Sequence, residues 1–157
     1  MTASIRRATA ADEALARAIV AEYNDAVGVV VRDDAAAFRV YLNGPGALWL
    51  AQIDDEIVGC VVMRPLASTA PGSCEVKRLY VRPAQRGFGI AAALMDALET
   101  FAFLRGYRAV YLDTFDGLGD AVRFYERRGY ERTARYNDNP QATIFMRRTL
   151  SGRRTTP

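Results

Sequence analysis

The chain has 157 residues, half of them hydrophobic and a quarter charged, so it is long enough to bury one genuine core and is expected to form a single soluble domain. Its net charge of +3 arises from 21 basic and 18 acidic residues, a surplus too small to indicate nucleic-acid binding. Histidine is absent, which excludes a Ser/His/Asp triad and removes the commonest general base and metal ligand.

The sequence also indicates where in the cell the protein is expected. No stretch approaches the apolar length of a membrane span, and the N-terminus lacks the hydrophobic core of a signal peptide, so a cytoplasmic location without membrane contact is expected. Cys60 and Cys74 are too few for a disulfide framework or a metal cluster, and core packing is their expected role. The basic tail over residues 151–157 has no apolar anchor and is expected to be disordered, which leaves residues 1–150 as the domain.

The N-terminal part of the chain predicts a strand followed by two helices. Residues 4–9 form the strand candidate, and residues 9–12 have the Thr-to-Asp spacing of a capping box at a helix start. This first helix is expected to end at Gly28. Asp33 and Asp34 both offer an N-cap to the second helix. The apolar residues expected to be buried at helical spacing are Leu15, Ile19, Val20 and Tyr23 in the first helix, and Phe38, Tyr41 and Leu42 in the second.

Three apolar runs predict the strands that follow. Runs over residues 47–53 and 56–64 flank two aspartates and predict an antiparallel hairpin. A loop over residues 65–73, rich in Pro, Ser, Thr and Gly, leads into a run over residues 74–81. This last run predicts the central strand, which ends before Pro83.

A long amphipathic helix follows the central strand. Asp96 and Glu99 are expected to face water, opposite the apolar positions Ile90, Leu94, Leu98 and Phe101. An Arg-Gly-Tyr run at residues 105–107 and again at 128–130 predicts a glycine-capped helix end in both places. The remaining predictions are a strand over residues 107–114, a helix from Gly119 or Asp120, and strands near residues 130–135 and 143–150. This order predicts an α/β fold with an antiparallel N-terminal half.

The loop before the long helix has the features of an anion site. Its sequence, RGFGIA over residues 86–91, contains Gly87 and Gly89, which let a ligand approach the backbone. N–H groups at a helix start lack intrahelical partners and the helix dipole is positive there, so the main chain itself binds an anion. Arg82 and Arg86 add guanidinium groups that suit phosphate oxygens. The loop therefore predicts a diphosphate site.

Several families use such a loop, and the spacing separates them. A P-loop requires Gly-Lys-Ser/Thr, which is absent. The dinucleotide fingerprint G-x-G-x-x-G/A is matched by Gly87, Gly89 and Ala92, with Asp113 about 20 residues further on. In that fingerprint, however, the first glycine follows the strand almost directly, whereas five residues follow Val81 here before the first glycine.

A third motif, Q/R-x-x-G-x-G/A, is matched in register by Arg86, Gly89 and Ala91. The similarity extends to the LYVRP run before the loop and to the segment from Ala121 to Tyr125 after it. On these residues the chain resembles the GNAT superfamily of N-acetyltransferases. The resemblance implies the GNAT fold, which is a mixed, mostly antiparallel sheet with a splayed central parallel strand pair flanked by helices.

The resemblance also implies acetyl-coenzyme A as cosubstrate and no metal. The diphosphate would lie on the main chain of the loop, and the pantetheine arm would pair with the central strand where the two strands splay. The cofactor-binding residues expected on this basis are Leu79, Tyr80, Val81, Arg86, Gly87, Phe88, Gly89, Ile90 and Ala91. Leu118 is a departure, because many GNAT sequences have Asn there. A polar contact to the arm is in doubt unless Asp116 or Asp120 replaces it.

Direct transfer to an amine requires a base and an acid that protonates the departing thiolate. By its match to the family tyrosine, Tyr125 is the expected acid, since a phenol with a reference pKa of about 10 stays protonated at neutral pH. Core packing is the competing interpretation, and Tyr130 is the second choice. Glu75 is the expected base, acting through ordered water, with Asp113 or water alone as alternatives. Either carboxylate could instead pair with Lys77 or an arginine.

The expected acceptor is a primary amine of a small molecule. Candidate contacts from the predicted helix pair, by resemblance only, are Tyr23, Asn24, Arg32 and Tyr41. The run over residues 136–140 would line the acceptor mouth, where Asp138 could attract a cationic amine, while Arg32 or Arg135 could attract a carboxylate. The alternatives are acetylation of proteins or aminoacyl-tRNA, and a non-catalytic acyl-CoA-binding regulatory module. The acceptor's identity and the oligomeric state, including a homodimer, stay open.

Overall fold

The structure, a computed structural model, describes residues 2–66 and 70–151. The tail predicted to be disordered lies outside these residues beyond Ser151, as does part of the predicted loop over 65–73. The strands are β1 (Ser4–Arg7), β2 (Ala47–Ile53), β3 (Glu56–Pro65), β4 (Ser73–Val81), β5 (Ala109–Thr114), β6 (Glu131–Arg132) and β7 (Ile144–Thr149). The helices are α1 (Glu13–Val27), α2 (Ala35–Asn43), α3 (Ile90–Leu104) and α4 (Gly119–Arg127).

The strands form one mixed sheet in the order β1-β2-β3-β4-β5-β7-β6. Pairing is antiparallel between β1 and β2, β2 and β3, β5 and β7, and β6 and β7. β4 and β5 pair in parallel through residues 73–75 and 109–111, which are the first three of the nine residues of β4. The predicted α/β fold with a central parallel pair in a mostly antiparallel sheet is therefore confirmed.

The chain divides into two compact units. The first comprises Met1–Pro65 and Val76–Phe101, and the second comprises Leu66–Glu75 and Ala102–Pro157. The sequence predicts a single domain over residues 1–150, and this stays a prediction. Within residues 2–66 and 70–151, none of the helices combines the length and the apolar character that a membrane span requires.

In the first unit, α1 and α2 pack on β2 and β3 around an apolar cluster that includes Ile19, Phe38 and Leu48. The predicted helix ends are confirmed. The backbone N–H of Thr9 donates to the carboxylate of Asp12 (2.9 Å), and Gly28 ends α1 in the left-handed conformation. At α2, Asp34 and not Asp33 is the N-cap, because its Oδ1 accepts from the N–H of Ala37 (2.9 Å).

Two predictions about helix faces are wrong. Leu15 is 45% exposed, because the buried face of α1 runs through Ala16, Ile19, Val20 and Asn24, and adjacent helical residues point about 100° apart. Glu99 on α3 is 1% exposed and does not face water. It follows Met95 by one helical turn, and Met95 is itself fully buried, so the buried face of α3 is wider than the predicted stripe. Asp96 is exposed, as expected.

In the second unit, both Arg-Gly-Tyr runs end a helix in the same way, as predicted. Each glycine is left-handed, with φ of 87° at Gly106 and 90° at Gly129. Each following tyrosine N–H donates to the carbonyl five residues earlier, and each glycine N–H to the carbonyl three residues earlier, all at 3.0 Å. This is the Schellman arrangement. It sets the chain direction into β5 and β6.

Candidate active site

The loop before α3 turns the chain from β4 into the helix. Gly87 and Gly89 have φ of 87° and 80°, values that L side chains rarely adopt. A Cβ added to either glycine would meet no heavy atom within 4 Å. The glycines are therefore required by backbone conformation, and space lies open beside them.

The N-terminus of α3 presents unpaired donors to this space. The first helical carbonyl to accept is that of Gly89, from the N–H of Ala93 (3.0 Å). The N–H groups of the first turn, beginning with those of Ile90 and Ala91, have no carbonyl one turn earlier in the helix to which they could donate. Phe88 is 55% exposed beside them, whereas Ile90 is buried. A helix start with open space and free N–H groups fits a diphosphate.

The two arginines of this region are held by the protein itself. Arg82 binds Glu22 of α1 through two hydrogen bonds, from Nε at 2.8 Å and from Nη2 at 3.1 Å. Its predicted role in binding phosphate stays a prediction. Arg86 donates from Nε to the carbonyl of Val81 (2.8 Å). Its guanidinium carbon lies 5.9 Å from the centre of the Tyr80 ring. Arg86 therefore fastens the loop back onto the end of β4.

Glu22 joins α1 to this end of β4. Besides Arg82, it accepts from the hydroxyl of Tyr80 (3.1 Å). The hydrogen bond from Arg82 holds the pKa of the Glu22 carboxyl below its usual value, and burial opposes this. Burial, followed by the hydrogen bond to Glu22, raises the pKa of the Tyr80 phenol. The sequence did not indicate these contacts of Glu22, because a glutamate on a predicted helix is usually a charged residue facing solvent.

β4 has a kink just before the residues expected to pair with the cofactor arm. Arg78 has φ of 56°, and a left-handed residue in a strand is typical of a bulge. Leu79 follows and is half-buried, while Tyr80 and Val81 are buried. On β3, a Cβ added to Gly59 would lie 2.6 Å from the carbonyl oxygen of Tyr80. The two strands therefore approach each other at a point where only glycine fits.

In the second unit, Glu75 lies in a hydrogen-bond network. Its side chain is fully buried. Its Oε2 accepts from the hydroxyl of Tyr136 (2.6 Å) and from Nδ2 of Asn137 (3.2 Å). The same Nδ2 donates to Oδ2 of Asp113 (2.6 Å). One amide thus bridges the two carboxylates that the sequence offers as competing bases.

The loop between β6 and β7 supplies these donors, and Arg135 folds it. Arg135 donates to the carbonyls of Asn137 (3.3 Å), Asn139 (3.1 Å) and Ala142 (3.0 Å). Its guanidinium also stacks over the Phe145 ring, 4.6 Å from the ring centre. Arg135 therefore stabilises the conformation of the loop. The predicted role of residues 136–140 in lining an acceptor mouth stays a prediction, and the sequence did not reveal the bonds from Tyr136 and Asn137 to Glu75.

Tyr125, the expected acid, lies on α4 among aromatic rings. It is 8% exposed, and its ring centre lies 5.4 Å from that of Phe124 and 5.6 Å from that of Tyr130. Tyr130 is 2% exposed. Leu118 is the N-cap residue of α4, while Asp120 forms an ion pair with Arg123. These positions fit core packing, and the acid role of Tyr125 stays a prediction.

The four acceptor candidates of the first unit differ in their surroundings. Arg32 is engaged by Asp25 (2.6 Å) and by the carbonyl of Val29 (3.0 Å). Tyr41 is buried and donates to Asp33 (2.7 Å). Tyr23 packs edge-on against Tyr80 (6.1 Å), and Asn24 is buried. Arg32 and Tyr41 therefore have structural partners.

Cys60 and Cys74 are buried and form no disulfide, as expected for core residues. The Sγ of Cys60 donates to the carbonyl of Arg78 (3.2 Å). Burial raises the pKa of the Cys60 thiol, which keeps it protonated and a poor nucleophile.

Comparison with known proteins decides the family. Residues 9–130 match the family model described as Acetyltransferase (GNAT) family. The chain belongs to this GNAT family. It is 36% identical over 123 residues to an uncharacterized N-acetyltransferase of Schizosaccharomyces pombe, a match covering 76% of the chain and 74% of that protein. It is 33% identical over 119 residues to probable N-acetyltransferase family 8 member 5 of Mus musculus, covering 74% of the chain but about half (52%) of that protein.

Solved structures share the GNAT fold. A GNAT acetyltransferase of Staphylococcus aureus superimposes with a TM-score of 0.80 at 19% identity, over 96% of the chain and 100% of its own. N-acetylglutamate synthase from Neisseria gonorrhoeae, solved with coenzyme A and N-acetyl-glutamate, gives 0.77 at 15% identity, over 96% of the chain and 36% of its own. GNAT proteins use acetyl-CoA, so the chain is an N-acetyltransferase of this acetyl-CoA-dependent class.

Proposed function

We propose that this GNAT enzyme transfers an acetyl group from acetyl-CoA directly to a primary amine of a small molecule. The observation that carries the proposal is the start of α3, where two left-handed glycines border open space and the first-turn N–H groups have no intrahelical acceptor. A diphosphate bound there would be held by the main chain at residues 86–91. The strand residues Leu79, Tyr80 and Val81 would offer backbone groups to the amides of the pantetheine arm.

The chemistry requires three proton transfers. An ammonium group must lose a proton before its nitrogen attacks the thioester carbon, and we assign this proton to Glu75, directly or through water. The N–C bond then forms and the C–S bond breaks. The departing thiolate takes a proton from the Tyr125 phenol, which is restored by the second proton released from the amine nitrogen. Glu75 releases its proton to water, so the products are the amide, the free thiol and one proton, and the charges balance.

The donors around Glu75 support its assignment as the base. Hydrogen bonds from Tyr136 and Asn137 hold one oxygen of Glu75 in a fixed position, and a general base must be fixed within hydrogen-bonding reach of its proton. Asp113 accepts from Asn137 and, at 3.4 Å, from Nδ2 of Asn139. Asp113 is the second candidate. Direct transfer is favoured over an acyl-enzyme because both cysteines are buried.

The ligand of one solved structure with the same fold favours a small amine as the acceptor. N-acetyl-glutamate, named with the Neisseria structure, is the acetylated form of a small amine that carries carboxylates. By analogy of fold, an amino acid or a related amine is the first acceptor to test. A cytoplasmic location stays a prediction from the sequence.

The test is a thiol-release assay with acetyl-CoA across a panel of amino acids, polyamines, N-terminal peptides and aminoacyl-tRNA. Turnover with a free amine at millimolar concentration or below, and not with peptides or tRNA, is the expected result. Turnover only with peptides or aminoacyl-tRNA would replace the small-molecule acceptor with a macromolecular one. Coenzyme A binding by calorimetry without turnover on any amine would favour a regulatory module. Failure to bind coenzyme A would defeat the proposal.

A further inference from the structure

Arg78 holds a backbone conformation that its own side chain disfavours. Its φ of 56° lies in the left-handed region, which non-glycine residues seldom occupy. Asp54 shares this region, but Asp54 lies in the turn between β2 and β3, where aspartate is often left-handed. Arg78 instead lies inside β4. Such a conformation persists only where the surrounding structure imposes it.

Arg78 is contacted by the first unit at both its side chain and its backbone. From the side chain, Nε of Arg78 donates to Oδ2 of Asp33 (2.9 Å) and Nη2 donates to the carbonyl of Val31 (3.4 Å). From the backbone, the carbonyl of Arg78 accepts from Sγ of Cys60 (3.2 Å). The connection between α1 and α2 thus holds Arg78 from one side, and β3 holds it from the other.

Asp33 is itself well fixed. Its other oxygen, Oδ1, accepts from the hydroxyl of Tyr41 on α2 (2.7 Å). The side chains of Asp33 and Arg78 are 6% and 14% exposed, so water competes little with the ion pair. Removing one partner of such a buried pair leaves a charge without compensation. Breaking the pair is therefore costly, so the Arg78 side chain is fixed beside its strained backbone.

The kink lies directly before the segment that the proposed function gives to the cofactor arm. Residues 79–81 follow Arg78 in β4, and Gly59 of β3 leaves room for the carbonyl of Tyr80 at a distance where any Cβ would clash. The segment's expected contacts are made by backbone N–H and C=O groups, whose directions depend on the φ and ψ of the preceding residue. A change at Arg78 would therefore rotate every one of these groups.

We propose that Asp33 and Arg78 are positioning residues for acyl-CoA: their ion pair keeps β4 kinked so that the backbone of residues 79–81 is already aligned for the amides of the pantetheine arm. This inference rests on the proposed function, because it assumes that the arm lies along β4. Prior alignment raises affinity because the segment loses less freedom on binding. Neither residue touches the diphosphate loop in this assignment, so the two parts of the cofactor are recognised separately.

Two probes separate these parts in a calorimetric experiment. Coenzyme A carries the nucleotide with its diphosphate and the pantetheine arm, whereas 3′-phospho-ADP carries the same nucleotide and diphosphate without the arm. The ratio of their affinities measures what the arm contributes. Arg78→Gly keeps the left-handed conformation accessible but removes the ion pair, and Asp33→Asn removes the charge that holds Arg78. Both variants should lose about tenfold or more in this ratio, with little change in the affinity for 3′-phospho-ADP.

The matched control is Asp12→Asn. Asp12 also forms an ion pair with an arginine at 2.9 Å in the first unit, but its partner is Arg6 of β1, so the affinity ratio should not change. An unchanged ratio in Asp33→Asn and Arg78→Gly, or an equal loss for both probes, would overturn the positioning role and leave the proposed function intact. If Arg78→Gly did not fold, Asp33→Asn alone would decide. If the wild-type protein bound neither probe, the proposed function and this inference would both fail.

Discussion

The start of α3 and the network around Glu75 use opposite means to prepare a site. At the start of α3 the backbone is the binding group, and the arginines nearby are engaged by Glu22 and by the carbonyl of Val81. Around Glu75 the side chains are the working groups, with donors from Tyr136 and Asn137. The first region therefore depends on φ angles and the second on hydrogen bonds.

This difference determines how each region should respond to mutation. A backbone site tolerates the loss of side chains but not the addition of a Cβ at a left-handed glycine. A side-chain site keeps its fold when one functional atom is replaced, yet loses its chemistry. The following experiments test this contrast.

The largest effect is expected for Glu75→Gln. If Glu75 is the general base, kcat should fall by about 10² to 10⁴, the usual contribution of such a group, while the affinity for coenzyme A stays close to wild type. Steady-state kinetics and calorimetry measure the two quantities. Asp113→Asn is the control, because Asp113 accepts from the same Asn137 amide. A greater loss of kcat in Asp113→Asn would transfer the role of base to Asp113.

Tyr125→Phe is the next test and should reduce kcat by about 10² if the phenol protonates the departing thiolate. The ring and its packing against Phe124 and Tyr130 are retained, so thermal stability and the KM for acetyl-CoA should change little. Tyr130→Phe is the control. A parallel loss of kcat and melting temperature in Tyr125→Phe would assign the hydroxyl to packing.

Gly89→Ala tests the backbone site with a closely matched control. Gly89 and Gly28 both have φ of 80°, and a Cβ on either would meet no heavy atom within 4 Å. Each alanine variant should therefore lose about 1–2 kcal/mol of folding stability through the same backbone strain. Only Gly89→Ala should also weaken coenzyme A binding, by about tenfold. Thermal melts measure the loss of stability, and calorimetry measures the affinity for coenzyme A. Equal coenzyme A affinities in the Gly89→Ala and Gly28→Ala variants would show that the loop does not bind the cofactor.

Local rules account for what the sequence could predict. The helix ends at Gly28, Gly106 and Gly129 were predictable because a left-handed cap is a property of one residue and its neighbours. The hairpin between β2 and β3 and the loop before α3 follow from equally short motifs. The family resemblance then supplied the central parallel pair within a mostly antiparallel sheet, which no local rule gives.

Long-range contacts account for what the sequence could not predict. Glu75 and Tyr136 are 61 residues apart, and Arg78 and Asp33 are 45 residues apart. No periodicity relates such pairs, so the sequence indicated a helix cap at Asp33 and did not indicate its ion pair with Arg78. Glu99 was predicted to face water because its side chain is charged. Its position one helical turn after the apolar Met95 indicated the buried face instead. In each case the surroundings of the residue depend on tertiary packing, which the local sequence does not specify.

The smallest effect is expected for Glu22→Gln, which weakens the contact between α1 and the end of β4. The Glu22 and Arg82 side chains are 36% and 38% exposed, so the loss of folding stability at neutral pH should be less than about 1 kcal/mol. Because Arg82 lowers the pKa of Glu22 in the folded protein, the wild-type stabilisation is present above the unfolded pKa and is lost as pH falls through the folded pKa. Urea unfolding at pH 7 and at pH 3 should therefore separate wild type from Glu22→Gln at the higher pH and bring them together at the lower. A difference that grows on acidification would mean that the carboxyl is stabilised in its protonated form.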